Sequence, residues 1–182
     1  AEAGDDAQRE RDLLRRRQLG VTADEHQPQD VVAVVRAVEP LLVHPQAAVR
    51  AEGAAALVRG GEPAPVRAAR ASLETLAGSD EPAEREHVAR AVGLAGSREL
   101  VPLLVPLLDD PSALVRRAAL RAAAALRAQD LIPSLVRALA DRRTAETAAE
   151  ALGAYGPGIE GVLRDALAER RAPAEVRRCV PR

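Results

Sequence analysis

Apolar residues recur along this chain at the spacing of an α-helix. One segment shows the pattern clearly, with apolar side chains three and four residues apart at Leu131, Ile132, Leu135, Val136 and Leu139. A helix with this spacing carries one apolar face along its length. Five such segments follow one another, at 29–42, 64–78, 97–110, 129–141 and 157–170. The pattern therefore predicts five helices that each need a partner for one face.

A second, alanine-rich helix is predicted after each of these segments. The landmark of this helix is an arginine that is followed by small residues. It stands at Arg50, Arg85, Arg116 and Arg177, with Ala145 at the equivalent position of one unit. Short stretches such as HPQ and DDPS separate the two helices, because proline fixes φ and suits the first turn of the next helix. Gly61 and Gly96 follow second helices, as left-handed C-caps do.

The predicted hairpins repeat in sequence as well as in pattern. Pro40–Leu42 matches Pro106–Leu108 and Val49–Arg50 matches Val115–Arg116, 66 residues later and with no gap. The landmark positions are spaced by 35, 31, 29 and 32 residues. A period in this range is typical of solenoids, in which each unit packs on its neighbours. We expect an all-α fold, a right-handed α-α superhelix (α-solenoid) of about five hairpins.

The two ends of the chain are interpreted separately. Residues 1–28 are predicted to form a polar N-terminal helix and linker, equivalent to part of a repeat, and residues 29–182 to form the array. The last repeat is predicted to be truncated, since EVRRCVPR supplies only about two turns of its second helix. We therefore expect a fragment of a longer protein. Pro106, inside a predicted first helix, is expected to bend that helix.

The composition favours helices packed closely over a thin core. The 182 residues include 40 Ala but no Phe, Trp or Met, and Tyr155 is the single aromatic residue. Ala is the best helix former and adds little bulk. The 26 basic residues are all Arg and are balanced by 27 acidic ones. This balance argues against a nucleic-acid partner recognised through bulk charge.

The sequence indicates no catalytic residue, metal site or cofactor. Its three histidines are scattered at positions 26, 44 and 87, and Cys179 is predicted to be a small buried hydrophobe. Acid/base pairs and metal-ligand spacings of recognisable kinds are missing. The sequence also has no apolar stretch of ~18 residues and no secretory leader. We therefore expect a cytoplasmic location, either free or as the cytosolic part of a membrane-tethered protein.

The repeat unit resembles that of the HEAT repeat family. The resemblance is carried by Pro-Leu-Leu at Pro40–Leu42 and Pro106–Leu108, by the turn Asp109–Pro111, and by Val-Arg followed by small residues. It covers roughly residues 29–182 and implies a solenoid of HEAT-like hairpins. It also implies a structural ladder in which the turn Asp of one unit meets the second-helix Arg of another. The candidate ladder residues are Arg50, Arg85, Asp110, Arg116 and Arg177, with a gap at Ala145.

The second helices are expected to line the concave surface of such an array. The charged residues between their core positions form a candidate partner-binding face, consisting of Glu52, Glu86, His87, Arg90, Arg117, Arg121, Glu146, Glu150 and Arg178. Their charge runs from acidic to Arg-rich and back to acidic. This pattern favours a protein partner over a nucleic acid. It is equally compatible with an ordinary solvated face, and both interpretations stay open.

Three hypotheses for function follow from these observations. The first is a non-catalytic protein-protein interaction or scaffold module of a bacterial-type protein. The second is a regulatory or connecting segment, because EVRRCVPR is similar to HEAT segments of some bacterial transporter-like or cyclic-nucleotide-binding multidomain proteins. The third is a HEAT-like lyase of the bilin-lyase type, whose chemistry leaves no local signature. A HEAT-like DNA glycosylase is disfavoured, since the chain lacks Trp, Phe and a positive excess.

Overall fold

The computed structural model describes residues 28–161 and 163–164, and all regular structure in these ranges is helical. The α-helices are α1 (Pro28–Val38), α2 (Ala47–Gly60), α3 (Pro63–Ala77), α4 (Pro82–Ala95), α5 (Val101–Leu108), α6 (Ala113–Leu126), α7 (Ile132–Ala138) and α8 (Ala145–Gly153). Short 3-10 helices lie at Glu39–Val43, Arg98–Leu100, Gln129–Leu131 and Pro157–Ile159. The predicted all-α class is confirmed.

The chain divides into two compact units, Ala1–Val34 and Val35–Arg182, and the boundary falls inside α1. The fold and the candidate site described below belong to the second unit. Most of the predicted N-terminal segment, residues 1–28, lies outside the described residues, as do Arg177, Arg178 and Cys179.

The helices of the second unit form hairpins that stack side by side. Within a hairpin, the 3-10 helix Glu39–Val43 packs on α2, α3 on α4, α5 on α6 and α7 on α8. Between hairpins, α2, α4, α6 and α8 pack on one another in chain order and form one layer. The first helices form the other layer, with α3 on α5 and α5 on α7. Stacking of this kind is that of an α-solenoid, as predicted.

The core consists of the apolar side chains packed between these two layers of helices. Leucines from both layers, such as Leu73, Leu104 and Leu120, are fully buried, and so is Val115. Much of the second-helix layer is buried alanine, which lets neighbouring helices approach closely. At Gly93 of α4, a β-carbon would lie only 3.1 Å from the Cα of Ala122 in α6. Small residues therefore set the spacing of the second helices.

The first helices begin later than predicted in two units. The segment 97–110 starts with the 3-10 helix Arg98–Leu100 before α5, and 129–141 starts with Gln129–Leu131 before α7. In both, a proline (Pro102 or Pro133) lies at the start of the α-helix, where its missing N–H costs no hydrogen bond. Pro106 does lie inside α5.

Left-handed residues follow the second helices at the same place in each unit. Gly61, Gly96 and Gly156 have φ of 76°, 67° and 74°, conformations that glycine adopts without strain. The equivalent position after α6 is Arg127, with φ of 47° and ψ of 41°. A residue with a β-carbon pays a steric penalty there of about 1 kcal/mol or more.

We expect Arg127→Gly to raise the free energy of unfolding by about 1 kcal/mol, because it removes this penalty. The matched control is Arg117→Gly, the same replacement within α6, which should lower the stability by about 1 kcal/mol. Urea titration followed by circular dichroism measures both. A loss of stability in Arg127→Gly would show that the arginine side chain stabilises the turn.

Val115→Asp is expected to destabilise the whole array, because Val115 is fully buried between the layers and an aspartate there loses its hydration without a partner. The loss should reach at least about 4 kcal/mol. The control is Leu114→Asp at the preceding position, which is 46% exposed and should melt close to the unchanged protein. Equal melting temperatures for the two variants would contradict the packing described here.

Candidate functional site

Each landmark arginine closes the turn of its own hairpin. Arg85 donates from Nη1 to the backbone oxygens of Ser79, at 2.7 Å, and Asp80, at 3.0 Å. Arg50 makes the same two bonds to the carbonyls six and five residues before it, and so does Arg116. One guanidinium therefore satisfies two turn carbonyls that the helices leave without a partner.

The same guanidinium groups reach the next hairpin. Arg85 holds both carboxylate oxygens of Asp110, with Nε–Oδ2 at 2.6 Å and Nη2–Oδ1 at 3.1 Å. Arg116 pairs with Asp141 in the following turn. Arg50 pairs at 3.3 Å with Glu84. A planar group with five donors can serve a turn and a neighbouring acid at once, whereas an ammonium cannot present this fork.

Two of the three acids, Asp110 and Asp141, lie in the turn before a second helix. His44, Ser79, Asp110 and Asp141 lie in corresponding turns, and each accepts the backbone N–H two residues later. Ser79 carries no charge, and Arg50 pairs instead with Glu84, on the following helix. Sequence reasoning missed Asp141. The signal for it was present, since Asp141 follows Asp110 by 31 residues, one repeat.

Hydrogen bonding in the ladder shifts the pKa of Asp110, Arg85 and Asp141. Burial opposes the charge of Asp110, but hydrogen bonds from Arg85 and from the Ser112 N–H outweigh it and lower the pKa of this carboxyl. The hydrogen bond to Asp110 raises the pKa of Arg85. The N–H of Arg143 and the guanidinium of Arg116 lower the pKa of Asp141. The folded state therefore favours the charged forms of Asp110, Arg85 and Asp141.

The turn before α8 is closed by a hydroxyl group in place of a guanidinium. Ala145 has no guanidinium, and the hydroxyl of the adjacent Thr144 donates to Ala138 O at 2.9 Å. Thr144 is almost fully buried. At the other end of this helix, the hydroxyl of Tyr155 lies 3.1 Å from Ala123 O and 3.0 Å from Ala128 O of the preceding unit. Burial raises the pKa of Tyr155, so this hydroxyl remains a donor above the pH at which an exposed tyrosine ionises.

A groove of about 620 Å³ crosses the second-helix layer over α2, α4 and α6. Its walls carry five of the predicted face residues, which are Glu52, Glu86, His87, Arg90 and Arg121. Glu86 and Arg90 form an i,i+4 ion pair at 3.4 Å, in which Arg90 keeps 64% of its side chain exposed. Acidic and basic groups thus lie within one concavity.

The other predicted face residues do not line this groove. Arg117 is exposed on α6, and Glu146 and Glu150 are exposed on α8. Arg178 lies outside the described residues. The charge order predicted along the second helices is present on the surface, but the groove covers only its first half.

Small and apolar residues form most of the groove, and the sequence analysis did not single them out. They are Ala48, Ala51, Ala91, Gly93, Leu94, Ala118, Ala122 and Ala125. Leu94 is 55% exposed. Helical spacing in the sequence could have identified them, because positions 118, 121, 122 and 125 lie on one face of a helix.

The groove carries ionisable side chains of both signs. Its ionisable groups are two carboxylates, two guanidinium groups and the imidazole of His87. Among the described residues, no group of three or more His, Cys, Asp or Glu is placed to hold a metal ion. Within the same residues, every helix is too short or too polar to cross a membrane.

Asp110→Asn should lower the free energy of unfolding at pH 7 by about 2 kcal/mol, since it removes a charged hydrogen-bond partner of Arg85. Because the pKa of Asp110 is lowered in the folded state, this stabilisation is fully present above the ordinary carboxyl pKa. It is lost as the pH falls through the lower folded value.

Unfolding free energies at neutral and acidic pH test this, and the difference between Asp110→Asn and the unchanged protein should shrink on acidification. Asp109→Asn is the matched control, because Asp109 is 63% exposed and its pair with Arg137 should contribute little. An effect of equal size at both positions would contradict the role of the buried pair.

Part of the chain is similar in sequence to a known protein family. A family model described as HEAT repeats matches residues 69–156, a range that contains α4 to α8 and the pairs Arg85–Asp110 and Arg116–Asp141. No curated protein matches the chain. The matched residues and the stacked hairpins together support assignment of this part of the chain to the HEAT repeat family.

Proposed function

We propose that this chain is a non-catalytic interaction module that binds a protein partner in the groove over α2, α4 and α6. HEAT repeats generally mediate protein-protein interaction or scaffolding, and the family is typically non-catalytic. The observation that carries the proposal is the groove itself. It combines an exposed leucine, a floor of small residues and side chains of both charges.

The ladder supports this proposal by fixing the groove walls. Arg50 joins the turn before α2 to Glu84 of α4, and Arg85 joins the turn before α4 to Asp110 ahead of α6. The three helices that bear the groove are therefore tied together at one end. A preformed surface loses less entropy on binding than one that must order first.

The mixture of charges supports a protein as the partner. Glu52 and Glu86 line the same groove as Arg90 and Arg121, so a polyphosphate backbone would meet repulsion from two carboxylates. A protein surface can place an acid and a base against these groups at once. Leu94, which is 55% exposed, supplies an apolar contact of the kind found at interface centres.

The test is selection of binders from a random peptide library displayed on phage, with the purified chain as bait. We expect the selected peptides to lose at least about tenfold in affinity for Glu52→Arg/Arg121→Glu, because both ends of the groove reverse charge. Arg67→Glu is the control. Arg67 is exposed on α3, in the other layer, and its replacement should leave binding unchanged.

Two results would overturn the proposal. One is the recovery of no binder. The other is a set of binders whose affinity depends on Arg67 but not on the groove residues. Circular dichroism of each variant separates a loss of binding from a loss of fold.

A further inference from the structure

The polar side chains that line the groove belong to Glu, Arg and His alone. Every polar side chain that lines it is charged or is the imidazole of His87, and the rest of the lining is alanine, glycine and leucine. Side-chain amides and hydroxyls, which bind the backbone of an extended peptide, are missing from this lining. The backbone groups of α2, α4 and α6 are engaged within their helices. An extended segment would therefore have only these five charged or imidazole side chains as partners for the peptide groups that it buries here, and two of them already pair with each other.

An α-helix meets this requirement, because its backbone hydrogen bonds are all internal. The small floor also suits a helix. Alanine and glycine at the contact allow two helices to approach to roughly 8 Å between axes, the lower end of the usual range. Leu94, raised above this floor and 55% exposed, can pack against one apolar stripe of the incoming helix.

The charges of the groove are ordered across it. Glu52 lies on α2 at one side and Arg121 on α6 at the other. Between them, on α4, Glu86 and Arg90 neutralise each other in an ion pair at 3.4 Å. The field therefore runs from negative at α2 to positive at α6, and a bound helix gains by the opposite order.

We infer that the groove binds a single amphipathic α-helix with basic residues over Glu52, acidic residues over Arg121 and an apolar stripe between them. This rests on the proposed function and adds the chemistry of the partner. The groove crosses three neighbouring helices, and the axes of packed helices lie about 8–10 Å apart. Its length from α2 to α6 is therefore roughly 20 Å. At 1.5 Å per residue, that distance corresponds to about 13 helical residues.

Three fluorescein-labelled peptides of about 16 residues test the inference. The ordered peptide has Glu in its first turn, Leu and Ala on one central face and Lys in its last turn, an arrangement that also stabilises a free helix. The scrambled peptide has the same composition with Glu and Lys alternating at both ends. The broken peptide is the ordered one with proline in place of a central residue, which disrupts the helix.

We expect the ordered peptide to bind at least about tenfold more tightly than the other two by fluorescence polarisation. Arg121→Glu should weaken its binding by at least about tenfold and Arg121→Ala by less, since the first reverses a charge and the second only removes one. Arg67→Glu should leave the affinity unchanged. Added salt should weaken the ordered peptide more than the scrambled one.

The outcomes separate this inference from the proposed function. Equal binding of the ordered and broken peptides, or no binding of the ordered peptide at about 1 mM, overturns the helical occupant. If library peptides still depend on Glu52 and Arg121 in that case, the groove remains a protein-binding site for an extended segment. If no library peptide depends on the groove, both proposals fail together. Binding of a second copy of this chain, detected by ultracentrifugation, would overturn the inference if the groove variants abolish it.

Discussion

The stack depends on one repeated interaction, in which an arginine binds the carbonyls of its own turn and an acid of the next hairpin. Arg85 makes this contact in its fullest form, with two turn carbonyls and both oxygens of Asp110. A solenoid has no central core that gathers all of its helices, so each hairpin is positioned only by its neighbours. Apolar packing between layers is not directional. The hydrogen bonds of the guanidinium group are directional, and they fix the orientation of one hairpin against the next. A buried acid without its arginine would cost stability, which makes the pairing selective for one register.

Small residues give this molecule both its stability and its candidate site. Alanine fills much of the second-helix layer, and a β-carbon at Gly93 would be tightly placed against Ala122. The close approach that follows compensates for side chains that each bury little apolar area. On the solvent side, the same small residues leave a floor below the charged side chains. The groove over α2, α4 and α6 is thus a consequence of how the helices pack.

The array is not uniform along its length, and its irregularities occur where the repeated residue changes. Ser79 stands where Asp110 stands in the next unit, and Arg50 turns to Glu84. Ala145 replaces the ladder arginine, and Thr144 closes that turn while Tyr155 binds carbonyls of the preceding unit. Arg127 stands where three other units have a left-handed glycine. In the first two cases another side chain, Glu84 or Thr144, makes the contact that the repeated residue would make.

The sequence by itself determined the all-α class, the hairpins and their period, because helical spacing and turn prolines are local properties that survive without knowledge of contacts. It also determined that Arg85 and Arg116 occupy equivalent positions of the repeat and that Asp110 is a turn acid able to pair with such an arginine. The starts of α5 and α7 were missed, since a 3-10 turn and an α-helical turn carry the same apolar spacing. Only the tertiary structure decided that Arg116 forms an ion pair with Asp141 and that Arg50 pairs with Glu84. It also decided that Leu94 and five of the nine predicted face residues line one groove. These are relations between residues about one repeat apart, and they follow from the distance and register between stacked helices, which no local pattern specifies.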